Sequence, residues 1–288
     1  MPFSEDYQNK LNRFIASALA EDLGDGDHST RSCIDEKAKG KAILKIKEEG
    51  ILAGVGIAEA IFHFLEPEAV IKKFKKDGDE MRDGEIAFEV SAKVWTILSC
   101  ERLVLNCMQR MCGIATLTKH YTDKLKGYHT KLLDTRKTTP NFRLIEKEAV
   151  KIGGAVNHRF GLSDMIILKD NHIDFCGGIE KAINKAYNYV QEVKPGLKIE
   201  VETRTIDDVK RVMSTGKVDR IMLDNFSPEK IKEALEIING KFETEASGGI
   251  TLQNIESYAA TGVDFVSSGA IIHHATSLDL SLKAEITQ

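Results

Sequence analysis

Near residue 113 the spacing of apolar and polar positions changes character. Before it the pattern is mixed. Residues 4–22 ("SEDYQNKLNRFIASALAED") put Leu11, Phe14, Ile15, Ala18 and Leu19 on one helical face, with Ser4 placed to cap the first turn. Residues 40–48 ("GKAILKIKE") and 85–93 ("EIAFEVSAK") alternate apolar and polar, as half-buried strands do. A short helix is expected over 56–65 and a longer amphipathic one over 97–112. Together these predict an α+β domain whose sheet is covered by helices on one face. After residue 128 short apolar strands alternate with helices: "TKLLDT" (130–135), "DMIILK" (164–169), "KIEVET" (198–203), "VDRIML" (218–223), "KFETEA" (241–246) and "VDFVSS" (263–268), with helical stretches at 178–192, 205–215, 228–239 and 251–260. In "SPEK", Ser227 is a cap and Pro228 takes the first helical position. Six βα units in succession mean a parallel sheet, either open and doubly wound or closed into a barrel. About 145 residues are available where an eight-stranded barrel takes about 250, so a barrel here is small or incomplete.

Composition narrows the function classes. The formal net charge is −4, which gives no general attraction to nucleic acid or to an anionic membrane. No apolar run approaches the length of a membrane span, and "MPFSEDYQNK" lacks the basic start and apolar stretch of a secretory signal. Cys33, Cys100, Cys107, Cys112 and Cys176 are odd in number and form no CxxC, so they read as free or buried thiols of a cytoplasmic protein.

The chemistry falls at the strand ends. The first strand runs into Thr135-Arg136-Lys137-Thr138, the second into Lys169-Asp170-Asn171-His172, the third ends in Glu202, and the fourth in Asp224-Asn225. The fifth runs into Ser247-Gly248-Gly249 and the sixth into Ser267-Ser268-Gly269. Ligands of parallel α/β folds bind at the carboxyl ends of the strands, so these groups converge on one mouth. One polar strand end means little; six together are harder to ascribe to solubility. "SGGITLQNI" and "SSGAIIHHA" each follow a strand and open a helix, an arrangement that suits a phosphate. Either alone is matched by a plain tight turn. Glu202 and Asp224, on neighbouring strand ends, suit Mg²⁺ held directly or through its waters against substrate phosphates; as a surface pair they would only partner cations. Arg136, His158, Arg159 and Lys169 in one mouth make a pocket for a small polyanion.

"LLDTRKTTPNFRLIEKEAVKIGGAVNHRFGLSDMIILKDNHI" (132–173) resembles the central motif of the quinolinate phosphoribosyltransferases, and the likeness extends through "LAEDLGDGDHST", "ERLVLNCMQRMCGIAT", "EVET", "IMLDNFSP", "EASGGITLQNI" and "LDLSLK". The resemblance implies an α/β fold: an N-terminal α/β sandwich over 1–112, joined by the C-terminal segment 275–288, and a small incomplete α/β barrel over 113–274 with phosphate-binding strand ends. It implies conversion of quinolinate and phosphoribosyl pyrophosphate, with Mg²⁺, to nicotinate mononucleotide, CO₂ and pyrophosphate. Arg102, Arg136, His158 and Arg159 match the family's quinolinate-carboxylate ligands, Arg102 being supplied in trans by the partner in at least a homodimer. Lys137 and Lys169 match lysines between quinolinate and pyrophosphate. Glu202 and Asp224 match the acids around Mg²⁺ and the ribose, and Ser247, Gly248, Gly249, Ser268 and Gly269 the phosphate turns. His273 and His274 receive no role. Three rivals stand beside this reading: a paralogous phosphoribosyltransferase with another acceptor, a Schiff-base lyase using Lys169, and a non-enzymatic phosphate-binding module.

Overall fold

The structure, a computed structural model, describes residues 4–285. α1 (Glu5–Leu23) begins where the cap is expected, with the Ser4 hydroxyl accepting the Tyr7 N–H, and buries Leu11, Ile15 and Leu19. α2 (His28–Cys33), β1 (Lys39–Ile46), β2 (Gly50–Ile51), α3 (Val55–Leu65), β3 (Val70–Lys73), β4 (Glu80–Met81) and β5 (Ile86–Lys93) follow. The long helix α4 (Val94–Lys124) does not stop at residue 112. Gly113, which costs about 1 kcal/mol in a helix interior, has a packing reason: a Cβ there would lie 1.9 Å from the Thr276 carbonyl oxygen. Then come β6 (Lys131–Leu133), α5 (Arg143–Ile152), β7 (Ile166–Leu168), α6 (Asp170–Cys176), α7 (Ile179–Glu192), β8 (Ile199–Thr203), α8 (Ile206–Thr215), β9 (Arg220–Asp224), α9 (Pro228–Ile238), β10 (Glu243–Ser247), α10 (Ile255–Ala259), β11 (Phe265–Ser267), α11 (Ala270–His273) and β12 (Leu280–Glu285).

The chain divides into two compact units. One takes in residues up to Lys119, Thr139–Gly154 and the chain from His274 onward; the other takes in His120–Thr138 and Ala155–His273. This division into compact units departs from the expected boundaries in two places. Residue 113 lies inside α4, and the segment 139–154, with α5, belongs to the first unit. The outermost residues of the two expected ranges, 1–3 and 286–288, lie outside the described residues.

In the first unit an antiparallel sheet runs β12-β1-β5-β3, with Leu44 opposite both Leu282 and Phe88. A buried ion pair fastens α5 to α4. Glu146, fully buried, receives Arg110 Nη2 at 2.9 Å and Nε at 3.0 Å, and also the Thr139 N–H at 2.8 Å. Arg110 Nη1 donates in turn to the Ala275 carbonyl at 2.6 Å, so one guanidinium ties three separated stretches of this unit together.

In the second unit all six strands are parallel, in the order β6-β11-β10-β9-β8-β7. The order never reverses, and the first strand sits beside the last. That is the sequence of a barrel, where a doubly wound sheet has a switch point. β6 and β7 do not pair, and the gap is touched only by a single parallel bridge, Leu133 to Val156. The barrel is therefore incomplete. One face of the strands carries Val201, Ile221, Leu223, Ala246 and Val266, all buried. The other face carries Glu200, Glu202, Arg220, Asp224, Glu243, Glu245 and Ser247, which fall at alternate positions and, through the pairing register, on a common side. The residues of that second face set up the site.

Candidate active site

Backbone turns bring the strand ends to one edge of the sheet. Asn225, just past β9, adopts φ +56°, and its N–H donates to the Ser247 carbonyl at 2.8 Å. Its side-chain amide donates to Asp224 Oδ2 at 2.7 Å. Gly248 follows with φ +92°, and a Cβ there would come within 2.2 Å of Asn225 Oδ1, so only glycine fits both the conformation and the approach. Gly249 also has positive φ, +64°, with open space around it. The turn is braced by Asn254, which accepts from the Thr251 N–H and donates to the Gly249 carbonyl. The buried Ser268 hydroxyl donates to the Ile250 carbonyl at 3.0 Å and thereby stitches the β11 turn to the β10 turn. Gly269 leaves room for Lys137 and His273: a Cβ would lie 2.9 Å from Lys137 Cδ and 3.1 Å from His273 Nε2. The helix starts expected directly after these turns are short or displaced. α10 begins only at Ile255 and runs five residues, and α11 runs four. The turns' own N–H groups, and not a long helix dipole, are what a phosphate would meet.

The acids and lysines lie at the same edge. Lys169, after β7, has its backbone N–H held by His172 Nδ1 at 3.1 Å and its Nζ 3.2 Å from Glu202 Oε2. Glu202 is buried beside it. Burial and then the Glu202 charge push the Asp224 carboxyl above its usual value, against the Asn225 amide and the Lys169 charge. Two mutually repelling carboxylates of this kind are relieved by a divalent cation. Their hard oxygen donors, next to turns suited to phosphate, fit Mg²⁺, which takes one or two carboxylates and completes its shell with water and substrate oxygens.

The cationic side is formed by Arg136, Lys137 and Arg159. Burial, and then the positive charge of Arg136, pull the Arg159 pKa below its usual value. Two guanidiniums are thus held close enough to repel, which an anion between them would relieve. Arg159 Nη1 donates to the Met165 carbonyl at 2.9 Å, which holds its side chain. Asp164 accepts the Phe160 and Gly161 N–H groups and shapes the loop after it.

His158 is placed differently from the arginines. Its side chain is 6% exposed, and Nε2 lies 3.1 Å from Glu200 Oε2 and 3.2 Å from Glu245 Oε2. The Arg159 N–H points at Nδ1 from 2.6 Å. In a flat sheet β8 and β10, two strands apart, are about 10 Å apart; their carboxylates meet on one nitrogen because the sheet curls. Burial works against a charged ring, but the two carboxylates outweigh it and raise the His158 pKa to about 9. The Nδ1 contact acts the other way, since a second ring proton would break it. Burial and the Glu245 charge raise Glu200 to about 7, while Glu245, buried but facing His158, Ser267 and Arg220, is held below the usual range. Among the described residues this trio is the one set of three His, Cys, Asp or Glu whose ligand atoms converge within 4.8 Å. Its centre is occupied by the imidazole Nε2 itself, so it is a cluster of close charged contacts and not a vacant metal cage.

The expected site residues divide accordingly. Arg136, Lys137, Lys169, Glu202, Asp224, Ser247, Gly248, Gly249, Ser268 and Gly269 lie at or just beyond the strand ends of the second unit, and Arg159 lies in the loop between the Val156 bridge and β7. Arg102 is exposed on α4, in the first unit. Sequence reasoning passed over Glu200, Glu245 and Arg220. The signal was present: charges at every second position in "IEVET" and "ETEAS" are out of place in parallel strands, which are normally apolar on both faces.

The model of the quinolinate phosphoribosyl transferase N-terminal domain matches residues 27–112, and that of the C-terminal domain matches 114–283. The chain is 41% identical to the mitochondrial quinolinate phosphoribosyltransferase [decarboxylating] 2b of Nicotiana tabacum, covering 96% of this chain and 82% of that one. It is 38% identical to the probable nicotinate-nucleotide pyrophosphorylase [carboxylating] of Bacillus subtilis, covering 96% and 94%. The crystal structure of NadC from Streptococcus pyogenes matches over 100% of both chains, with a TM-score of 0.90 and 38% identity. Both domains in order, the glycine turns and the paired acids and cations at one sheet edge make this chain a member of the quinolinate phosphoribosyltransferase family.

Proposed function

We propose that this protein transfers the phosphoribosyl group of phosphoribosyl pyrophosphate to quinolinate with decarboxylation, forming nicotinate mononucleotide, CO₂ and pyrophosphate in NAD biosynthesis. The observation that carries this reading is the pairing of two unlike subsites on one sheet edge. Arg136 and Arg159 repel each other on one side, and Glu202 and Asp224 stand beside the Gly248 and Gly269 turns on the other.

The chain's own residues supply binding and placement. Arg136 and Arg159 grip the acceptor's carboxylates and hold its ring nitrogen in line with the anomeric carbon. Lys137, packed over Gly269, and Lys169 bring positive charge towards the phosphates where the leaving group gathers negative charge. The turns at Ser247-Gly248-Gly249 and Ser268-Gly269 offer backbone N–H groups to the 5′-phosphate. Glu202 and Asp224 would hold Mg²⁺, directly or through water, and the ion would supply neutralisation of charge on the pyrophosphate. Glycosylation leaves the pyridine nitrogen cationic; the bond to the adjacent carboxylate then breaks, CO₂ departs, the cationic nitrogen stabilises the electron pair left on the ring carbon, and a proton from water completes the C–H bond of the product. No protein nucleophile is required. Lys169 is poorly suited to Schiff-base chemistry, since its Nζ faces Glu202 at 3.2 Å and its side chain is half exposed, without the apolar surroundings that activate such a lysine.

Arg102 sits on a helix of the first unit and on no strand end. The family resemblance supports the reading that a second copy of the chain supplies it to the carboxylate pocket, so the working unit is at least a dimer. No helix among the described residues is long and apolar enough to cross a membrane. The five cysteines are free, which supports a reducing, cytoplasmic setting. The deciding experiment incubates the protein with quinolinate, phosphoribosyl pyrophosphate and Mg²⁺ and scores nicotinate mononucleotide and CO₂. Nicotinate should be a poor acceptor, because with one carboxylate it leaves the repulsion between Arg136 and Arg159 only partly relieved. Equal use of the two acids, or pyrophosphate release with another acceptor only, would move the protein to a paralogous transferase.

A further inference from the structure

Beneath the mouth runs a chain of buried charges that the reaction does not use. Arg220 lies over the Phe265 ring at 4.1 Å and donates to Glu243 Oε2 at 3.0 Å and to Glu245 Oε2 at 3.1 Å. Glu245, with no exposed surface, turns the same oxygen to His158 Nε2 at 3.2 Å, and Glu200 approaches that nitrogen from the other side at 3.1 Å. The opposite ring nitrogen accepts the Arg159 N–H, and the His158 N–H donates to the buried Asp134 at 2.7 Å. Asp134 ends the stretch that leads directly into Arg136 and Lys137. The ring is therefore a peg gripped from inside the curled sheet, and the backbone N–H of the same residue ties the loop that carries Arg159 to the strand end that leads into Arg136.

We propose that Glu245 is a positioning residue for acceptor binding: by holding the His158 ring from within the sheet it fixes the Arg159 loop, and with it the spacing between Arg159 and Arg136. The inference rests on the reading of those two arginines as the acceptor's carboxylate site. A carboxylate this deeply buried and shared between two cationic side chains is stiff, since moving it would break the bond from Arg220 and the charged contact with His158 together. A pocket that must match two carboxylates on a rigid ring needs that stiffness; the phosphate turns on β10 and β11 have braces of their own in Ser268 and Asn254, and Glu245 meets the second turn only at Ser267, ahead of it.

The test is a double-mutant cycle on the full-length chain, read by calorimetric titration with quinolinate and, separately, with phosphoribosyl pyrophosphate. Glu245→Gln keeps the shape but removes the charge that orients both donors. It should weaken quinolinate binding about tenfold, the loss typical of a charge-assisted bond, while changing phosphoribosyl pyrophosphate binding less than about twofold. In an Arg159→Lys background the same change should weaken quinolinate less than about threefold, because the group that Glu245 positions is already altered. A purely structural role would lower both affinities together, or act equally in both backgrounds, and either result overturns the proposal. If Glu245→Gln does not fold, Glu200→Gln, at the other side of Nε2, should give the same selective loss; an unchanged quinolinate affinity there would overturn it equally. Wild-type protein that fails to bind quinolinate at all would refute the acceptor reading itself, whereas tight wild-type binding with an unaffected Glu245→Gln refutes only the positioning role.

Discussion

Gly248→Ala should damage the sugar-phosphate side of the site through Asn225. The added Cβ would stand 2.2 Å from Asn225 Oδ1 and 2.7 Å from its Cγ. Ordinary contact begins at 3.4 Å, so the amide must move by about 1.2 Å, the difference of the two distances. That shift breaks the 2.7 Å bond from Asn225 Nδ2 to Asp224 Oδ2. A hydrogen bond to a charged group contributes about 1.5–3 kcal/mol, which corresponds to a loss of about 10- to 150-fold in kcat/KM for phosphoribosyl pyrophosphate if Asp224 is misplaced in the transition state. Alanine at φ +92° adds about 1–2 kcal/mol of backbone strain, which should appear as a lower Tm and not in the rate. The two effects separate in a cycle with Asn225→Gly, which tolerates φ +56° and removes the amide. Asn225→Gly alone should lower kcat/KM comparably, and adding Gly248→Ala to it should cost less than about threefold more. Steady-state kinetics at saturating quinolinate measures each corner. If the two losses multiply, Gly248 does not act through Asn225, and Asp224 is not placed by this contact.

Three further outcomes are expected. Glu202→Ala and Asp224→Ala should raise the KM for phosphoribosyl pyrophosphate and the Mg²⁺ concentration needed for half activity while sparing quinolinate binding; calorimetry showing the reverse pattern would exchange the two subsites. Mixing inactive Arg102→Ala and Lys169→Ala subunits under exchange should restore activity, up to about a quarter of wild type. Half of randomly paired dimers are mixed, and each carries one intact site; confirmed exchange with no recovery would place Arg102 in its own subunit's site. Glu146→Ala leaves Arg110 without its buried carboxylate and removes the acceptor of the Thr139 N–H, so it should destabilise the chain by about 3–5 kcal/mol. A calorimetric loss below about 1 kcal/mol would mean that water replaces the pair.

Much of the second unit is readable from local pattern because its strands and helices are set by neighbours in the chain. The six apolar runs, the Ser227-Pro228 helix start and the polar strand ends each depend on a few adjacent residues. In any parallel sheet, whatever its closure, strand ends share one edge, so Lys169, Glu202, Asp224 and the glycine turns were bound to meet. What the local pattern does not carry is anything that depends on strand order, curl or distant packing. The helical run of α4 through Gly113 depends on a carbonyl at Thr276, and the place of α5 in the first unit depends on Arg110 meeting Glu146. The inward charges are the sharpest case. Glu200 and Glu245 stand 45 positions apart on strands that are not neighbours, and alternation alone says only that each faces one side. They close on a single histidine nitrogen because β9 lies between them in a sheet that bends. Side-chain direction is a local property of two-residue period, whereas the meeting of three side chains is a property of curvature, which only the assembled sheet possesses.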